Sequence, residues 1–114
     1  EAPDEAGHMG DLNLKVEAIE AFDQRVVGNL LRGIREFERF KILVLPDHPT
    51  PLSLRTHVDD PVPFLIYSSF EDQREAERKR HVKAFNEASA KESGIFIENG
   101  YELIEKFLGS NKPN

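Results

Sequence analysis

Aspartate and histidine gather in three short segments of this 114-residue sequence. The first is Asp4-Glu5-Ala6-Gly7-His8, the second Asp47-His48, and the third Arg55-Thr56-His57, which runs on into Val58-Asp59-Asp60-Pro61-Val62-Pro63. Carboxylate oxygen and imidazole nitrogen together suit divalent ions of intermediate character, such as Mn²⁺, Zn²⁺, Fe²⁺ or Co²⁺. Asp and His delivered by two segments to one sheet edge would form the kind of site that two-metal phosphoryl transfer requires. Taken singly, each residue also has a plainer account. Asp4 could cap a turn, His8 could enter a helix, Asp47-His48 could be a turn residue beside a surface imidazole, and His57 could be any loop histidine. His81, in the run Arg78-Lys79-Arg80-His81, is read as part of a solvated face. The order and spacing of the three segments are what raise them above these accounts.

The elements that must position these groups follow from hydrophobic periodicity. Residues 1–10, with Pro3, Gly7 and Gly10, read as a loop, and Asp11 as the N-cap of a helix. From Leu12 to Phe40 apolar residues recur in steps of three and four, which predicts one amphipathic helix with a face on a core. Gly28 and Gly33 weaken it and mark a bend or a close approach. Lys41-Ile42-Leu43-Val44-Leu45 is a continuous apolar run closed by Pro46, which predicts a strand buried on both faces, as in a parallel sheet. Asp47 and His48 would then stand just beyond its carboxyl end, where open α/β sheets gather ligands. Asp4, before the long helix, would lie at a second strand-to-helix crossing.

A second strand is expected at Val62–Tyr67, with Pro63 at its start or on an edge. Residues 70–83, densely charged, read as a solvated loop or a polar helix start, and Ala84–Ser93 as a helix ending at Gly94. Ile95-Phe96-Ile97 could be a short strand or a loop. A last helix is expected over Tyr101–Leu108, with Tyr101, Ile104, Phe107 and Leu108 on its apolar face, followed by a loose tail. Helices alternating with buried strands predict an α/β layered architecture.

Composition narrows the function. Hydrophobic residues make up 39% and charged residues 32% of the chain, an ordinary globular balance. The net charge of −6 gives no footprint for a nucleic-acid backbone, although bound cations can reverse the field locally for a phosphorylated substrate. There is no cysteine, hence no disulfide and no thiolate ligand. No apolar run approaches the roughly 20 residues that span a bilayer, and no signal peptide is visible, so the expectation is a cytoplasmic protein without membrane partners. The sequence opens inside a motif and without Met, so it is expected to be a truncated or excised chain.

The ordered set Asp4-x-x-Gly7-His8-x-Gly10-Asp11, Leu45-Pro46-Asp47-His48-Pro49-Thr50-Pro51 and Thr56-His57-x-x-Asp60-Pro61-Val62-Pro63-Phe64 resembles the archaeal-type, cofactor-independent phosphoglycerate mutases of the alkaline phosphatase superfamily. So does Lys15-Val16-Glu17-Ala18-Ile19-Glu20-x-Phe22-Asp23 between the first two motifs. The resemblance covers nearly the whole chain and is densest over residues 1–67. Asn29 departs from it, standing where the family often carries Pro.

The resemblance implies that residues 1–114 are the C-terminal portion of the metal-binding catalytic domain, part of an alkaline-phosphatase-like layered sheet with flanking helices. Asp4, His8 and His57 would hold one divalent ion, and Asp47 and His48 part of a second. Mn²⁺ is the expected metal, with Mg²⁺, Co²⁺ or Zn²⁺ as alternatives and no 2,3-bisphosphoglycerate. The intact enzyme would interconvert 3-phosphoglycerate and 2-phosphoglycerate through a phosphoserine. The chain itself is expected to be inactive, because no residue in it matches the nucleophilic serine. No substrate-contacting residue is assigned; Arg25 and Arg55 are cationic candidates with a surface role the simpler account. Two rivals stand beside this: a phosphatase-like or homoserine-kinase-like relative sharing the metal ligands, and a non-catalytic helical interaction module using the Leu14–Phe37 stripe. Nothing in the sequence resembles a glycine-rich phosphate loop.

Overall fold

A computed structural model of the chain describes residues 1–70 and 84–109. The chain divides into two compact units, Glu1–Glu38 with Pro46–Val62, and Arg39–Leu45 with Pro63–Asn114.

The first unit opens with a helix where a loop was expected: α1 spans Ala2–Met9. The residues that suggested a loop are its punctuation. Pro3 sits in the first turn, where its missing N–H costs nothing. Asp4 and Glu5 favour the positive N-terminal end. Gly10, at φ 70°, ends the helix in the left-handed conformation. The Gly10 N–H donates to Gly7 O and the Asp11 N–H to Ala6 O, which satisfies two terminal carbonyls. Asp11 is the N-cap of α2 (Leu12–Phe22), as the sequence predicts, its carboxylate accepting from the Leu14 N–H at 3.0 Å. One glycine and one cap therefore join two helices that pack on each other.

The helix expected over 12–40 is broken. A π-helical turn, Asp23–Val27, follows α2, then α3 (Gly28–Gly33) and a 3₁₀ turn, Ile34–Glu36. Phe37 is already extended. The interruption sits just before Gly28, and Asn29 ties it down by donating to the Arg25 carbonyl and accepting from Arg32. The expected core face is not buried either: α2 and α3 contain no buried residue, and Leu14, Ile19, Phe22 and Leu30 are all exposed. Periodicity reports which face is apolar, not whether something covers it. In this unit burial is confined to Ala6, Gly7 and Thr50.

In the second unit, β1 (Lys41–Val44) pairs with β2 (Leu65–Ser68) in antiparallel register, Ile42 opposite Tyr67 and Leu43 opposite Ile66. This corrects the expectation of a parallel strand buried on both faces: only Ile42 of β1 is buried, and the sheet has two strands among the described residues. A short apolar run cannot distinguish the two pairings. The ladder continues past β2 through Ser69, whose N–H donates to Phe40 O while its hydroxyl accepts from the Phe40 N–H. Pro61 and Pro63 lie outside β2, consistent with their lack of a donor.

Helix α4 (Glu87–Ser93) begins at the Asn86 cap and ends at Gly94 in the left-handed region, inside the predicted span. Ile95–Ile97 forms no strand. Helix α5 (Glu102–Leu108) is present, but its apolar face only partly matches the predicted one: Leu103 is buried and Phe107 half-buried, whereas Tyr101, Ile104 and Leu108 are exposed. The charged segment from 71 to 83, with His81, and the tail from 110 to 114 lie outside the described residues. Among the described residues no helix is long and apolar enough to cross a membrane.

Candidate metal centre

Asp4 and His8 share one face of α1 because residues four apart are neighbours on a helix. That spacing also corrects the placement of Asp4 at a strand-to-helix crossing; it stands in the first turn of a helix. The second group of residues comes from the loop between Pro46 and Val62. Its shape is set by its own backbone: Leu54 and Arg55 donate to Pro51 O, and Val58 donates to Pro49 O. Pro49 and Pro51 bias His48 and Thr50, the residues before them, to extended conformations. Arg55 takes φ 54°, a left-handed position that a non-glycine residue rarely adopts.

These two pieces bring three predicted ligands together. His57 Nε2 is 3.2 Å from Asp4 Oδ1 and 3.1 Å from His8 Nε2, and His8 Nε2 is 3.5 Å from Asp4 Oδ2. His48 joins them: its ring centroid lies 3.7 Å from that of His57, and Asp4, His48 and His57 each offer a ligand atom within 4.8 Å of the others. Asp47 stands at the rim, with 85% of its side chain exposed and Oδ2 3.3 Å from His48 Nε2.

The donor set fits a divalent cation. With metal–ligand bonds of about 2.0–2.2 Å, neighbouring donors in a tetrahedral or octahedral shell lie roughly 3.0–3.6 Å apart, the range occupied by Asp4, His8 and His57. The tautomer of His8 points the same way. His8 Nδ1 lies 2.9 Å from Arg55 O, which can only accept, so Nδ1 carries the hydrogen and neutral His8 turns the lone pair of Nε2 toward His57 and Asp4. An inward lone pair beside a carboxylate calls for a proton or a cation between them.

Electrostatics agree. The Asp4 carboxyl is held below the usual aspartate range, chiefly by the hydrogen bond from Thr50, with help from His8, His57 and His48 and against the effect of partial burial.

Thr50, Lys15 and the Arg55 backbone are site residues that sequence reasoning missed. Thr50 Oγ1 donates to Asp4 Oδ1 at 2.5 Å, Lys15 Nζ donates to Thr50 O, and Arg55 supplies the carbonyl under His8. Thr50 was visible within Asp47-His48-Pro49-Thr50-Pro51 but carries no ordinary ligand atom. Arg55 contributes its backbone, which no side-chain pattern advertises. Arg25 has its carbonyl bound to Asn29 within the helical stretch.

The family model of the Metalloenzyme superfamily matches residues 1–97. The chain is 47% identical over 108 residues to a probable 2,3-bisphosphoglycerate-independent phosphoglycerate mutase of Geobacter sulfurreducens, covering 95% of this chain and 26% of that protein. It is 49% identical over 109 residues to the 2,3-bisphosphoglycerate-independent phosphoglycerate mutase of Methanothrix thermoacetophila, with coverage of 95% and 26%. The protein of the same name from Methanosarcina barkeri is 45% identical over 105 residues, with coverage of 91% and 25%. The chain thus spans about a quarter of the length of these curated relatives. No solved structure matches it significantly.

Proposed function

The chain belongs to the Metalloenzyme superfamily, and on that premise we propose that it is the metal-binding portion of a cofactor-independent phosphoglycerate mutase, in the C-terminal part of an alkaline-phosphatase-like layered domain. The substrate is a small phosphorylated acid, and the reaction interconverts 3-phosphoglycerate and 2-phosphoglycerate without 2,3-bisphosphoglycerate. The relatives named as phosphoglycerate mutases support this activity. The serine that carries the phosphoryl group has no counterpart among these residues.

Asp4, His8 and His57 hold one divalent ion, and Asp47 with His48 contributes to a second. Mn²⁺ is the metal that the family resemblance favours; carboxylate and imidazole without thiolate suit Zn²⁺, Fe²⁺ or Co²⁺ as well. Such ions, when bound, lower the pKa of a coordinated oxygen and neutralise phosphoryl charge. The chain's own contribution is to hold and orient the ligands: α1 presents Asp4 and His8, and Arg55 O fixes the His8 tautomer.

The mutual 3.1–3.5 Å spacing of ligand atoms from Asp4, His8 and His57 carries this reading. Titration of Mn²⁺ into the purified chain tests it beside an Asp47→Ala, His57→Ala double variant. Saturable binding by the parent chain and its loss in the double variant are expected. Equal binding by both would remove the assignment.

A superfamily relative with another phosphoryl-transfer activity would share these ligands, and comparing turnover of 3-phosphoglycerate with that of a generic phosphate monoester by a longer parent protein separates the two. A non-catalytic interaction module would draw on the exposed Leu14, Ile19, Phe22 and Leu30, but would leave the Asp and His cluster unexplained.

A further inference from the structure

Thr50 is the buried polar side chain among the described residues, 5% exposed, and it lies at the centre of the cluster without being able to serve as an ordinary ligand. Its backbone is gripped from two sides. Lys15 Nζ bonds its carbonyl oxygen, and Gly7 of α1 approaches so closely that a Cβ there would stand 2.6 Å from the same oxygen. Pro51 restricts its backbone further. Its γ-methyl also packs against Gly7, and its hydroxyl is turned toward Asp4.

That hydroxyl has two neighbours, Asp4 Oδ1 at 2.5 Å and His48 Nδ1 at 3.4 Å. It has one proton to give and two lone pairs. The short contact to an ionised carboxylate takes the proton, because a carboxylate can only accept. The longer contact must then run the other way, from His48 Nδ1–H to the Thr50 oxygen. The consequence for His48 is specific. With Nδ1 protonated, neutral His48 presents a bare Nε2, which faces Asp47 Oδ2 at 3.3 Å. Two electron-rich atoms at that separation call for a proton or a cation between them, as do His8, His57 and Asp4.

From this we propose that the Thr50 hydroxyl is the positioning group that couples the two halves of the metal-binding cluster, aligning the Asp4 carboxylate in one half and fixing the His48 tautomer in the other. This role rests on the metal-binding reading above and adds to it a single residue on which both ions depend. Thr50 acts through Asp4 and His48.

The test uses the 114-residue chain, with Mn²⁺ and Co²⁺ as probes and three substitutions. Thr50→Val keeps the shape and removes the hydroxyl, Thr50→Ala removes it with no risk of a clash, and Thr50→Ser retains it. Groups that orient metal ligands typically govern affinity by 10–100-fold. Thr50→Val and Thr50→Ala should therefore weaken Mn²⁺ binding by about tenfold or more and shift the visible bands of bound Co²⁺, while Thr50→Ser should return both close to the parental values. A long-range proton–nitrogen correlation spectrum of the metal-free chain should show His48 as the Nδ1–H tautomer. Parental affinity and Co²⁺ bands in either hydroxyl-free variant would overturn the proposal, as would an Nε2–H tautomer at His48. Should Thr50→Val lose its circular dichroism, the Thr50→Ala and Thr50→Ser pair decides. Absence of Mn²⁺ binding by the parent chain would instead remove the metal centre itself, and the role of Thr50 with it.

Discussion

Asp4 shows how one side chain links folding to the site. Its carboxyl is held below the ordinary aspartate range, first by the Thr50 hydroxyl and then by three imidazoles. A depressed native pKa means that the folded state favours the ionised form. The resulting stabilisation is fully present above the unfolded value of about 3.9 and is lost as pH falls through the lower native value. In chelator, Asp4→Asn should therefore melt below the parent chain near neutral pH, and the gap should close under strongly acidic conditions. Melting temperatures that differ equally across that range would show that ionised Asp4 adds nothing.

At the scale of elements, the site depends on how α1 meets the loop between Pro46 and Val62. Gly7 lies at that meeting point, where a Cβ would collide with the Thr50 carbonyl and side chain. Gly7→Ala should destabilise the chain by about 1–3 kcal/mol, the usual range for overpacking, and weaken Mn²⁺ binding as well, since Thr50 and Asp4 move with it. Asp11→Ala is the contrast: loss of the α2 cap should cost about 1 kcal/mol and weaken Mn²⁺ binding less than Gly7→Ala does, because α2 supplies no ligand and reaches the site only through Lys15. Urea unfolding and calorimetric Mn²⁺ titration on both variants check the pair; a Gly7→Ala chain that binds as the parent does would separate the close approach from the site. The same residues explain what the sequence disclosed. The Asp11 cap, the Gly94 end of α4 and the presence of both strands were legible, because caps and short apolar runs act locally; the Asn86 start of α4 and the antiparallel pairing were not. Helix α1 was not, since Pro3 and Gly10 mark its ends and Gly7 serves a long-range contact, so all three imitate a loop. The spacing of Asp4 and His8, one helical turn apart, was the signal that favoured a helix. Gly28 signalled an interruption next to Asp23–Val27 but not its π-helical form, and the left-handed Arg55 had no signal, because neither follows from a residue's own preference.

At the scale of the whole molecule, the question is what a cluster of this kind can do within 114 residues. Phosphoryl transfer through a covalent intermediate needs a hydroxyl that reaches the substrate and can be deprotonated. Among the described residues, the hydroxyl hydrogen-bonded to the cluster is that of Thr50, which is buried, and its proton is committed to Asp4. The relatives with named mutase activity are about four times as long, so most of their residues have no counterpart here. The 114-residue chain saturated with Mn²⁺ should accordingly convert no 3-phosphoglycerate to 2-phosphoglycerate in an enolase-coupled assay, although it binds the metal. Turnover by the chain would require a nucleophile within it. If that turnover vanished in Thr50→Val and survived in Thr50→Ser, Thr50 would be the nucleophile and its positioning role would be wrong. If it survived in both, the nucleophile would be a group other than Thr50. Metal binding without turnover would place ligand holding in these residues and the chemical step in the remainder of a longer protein.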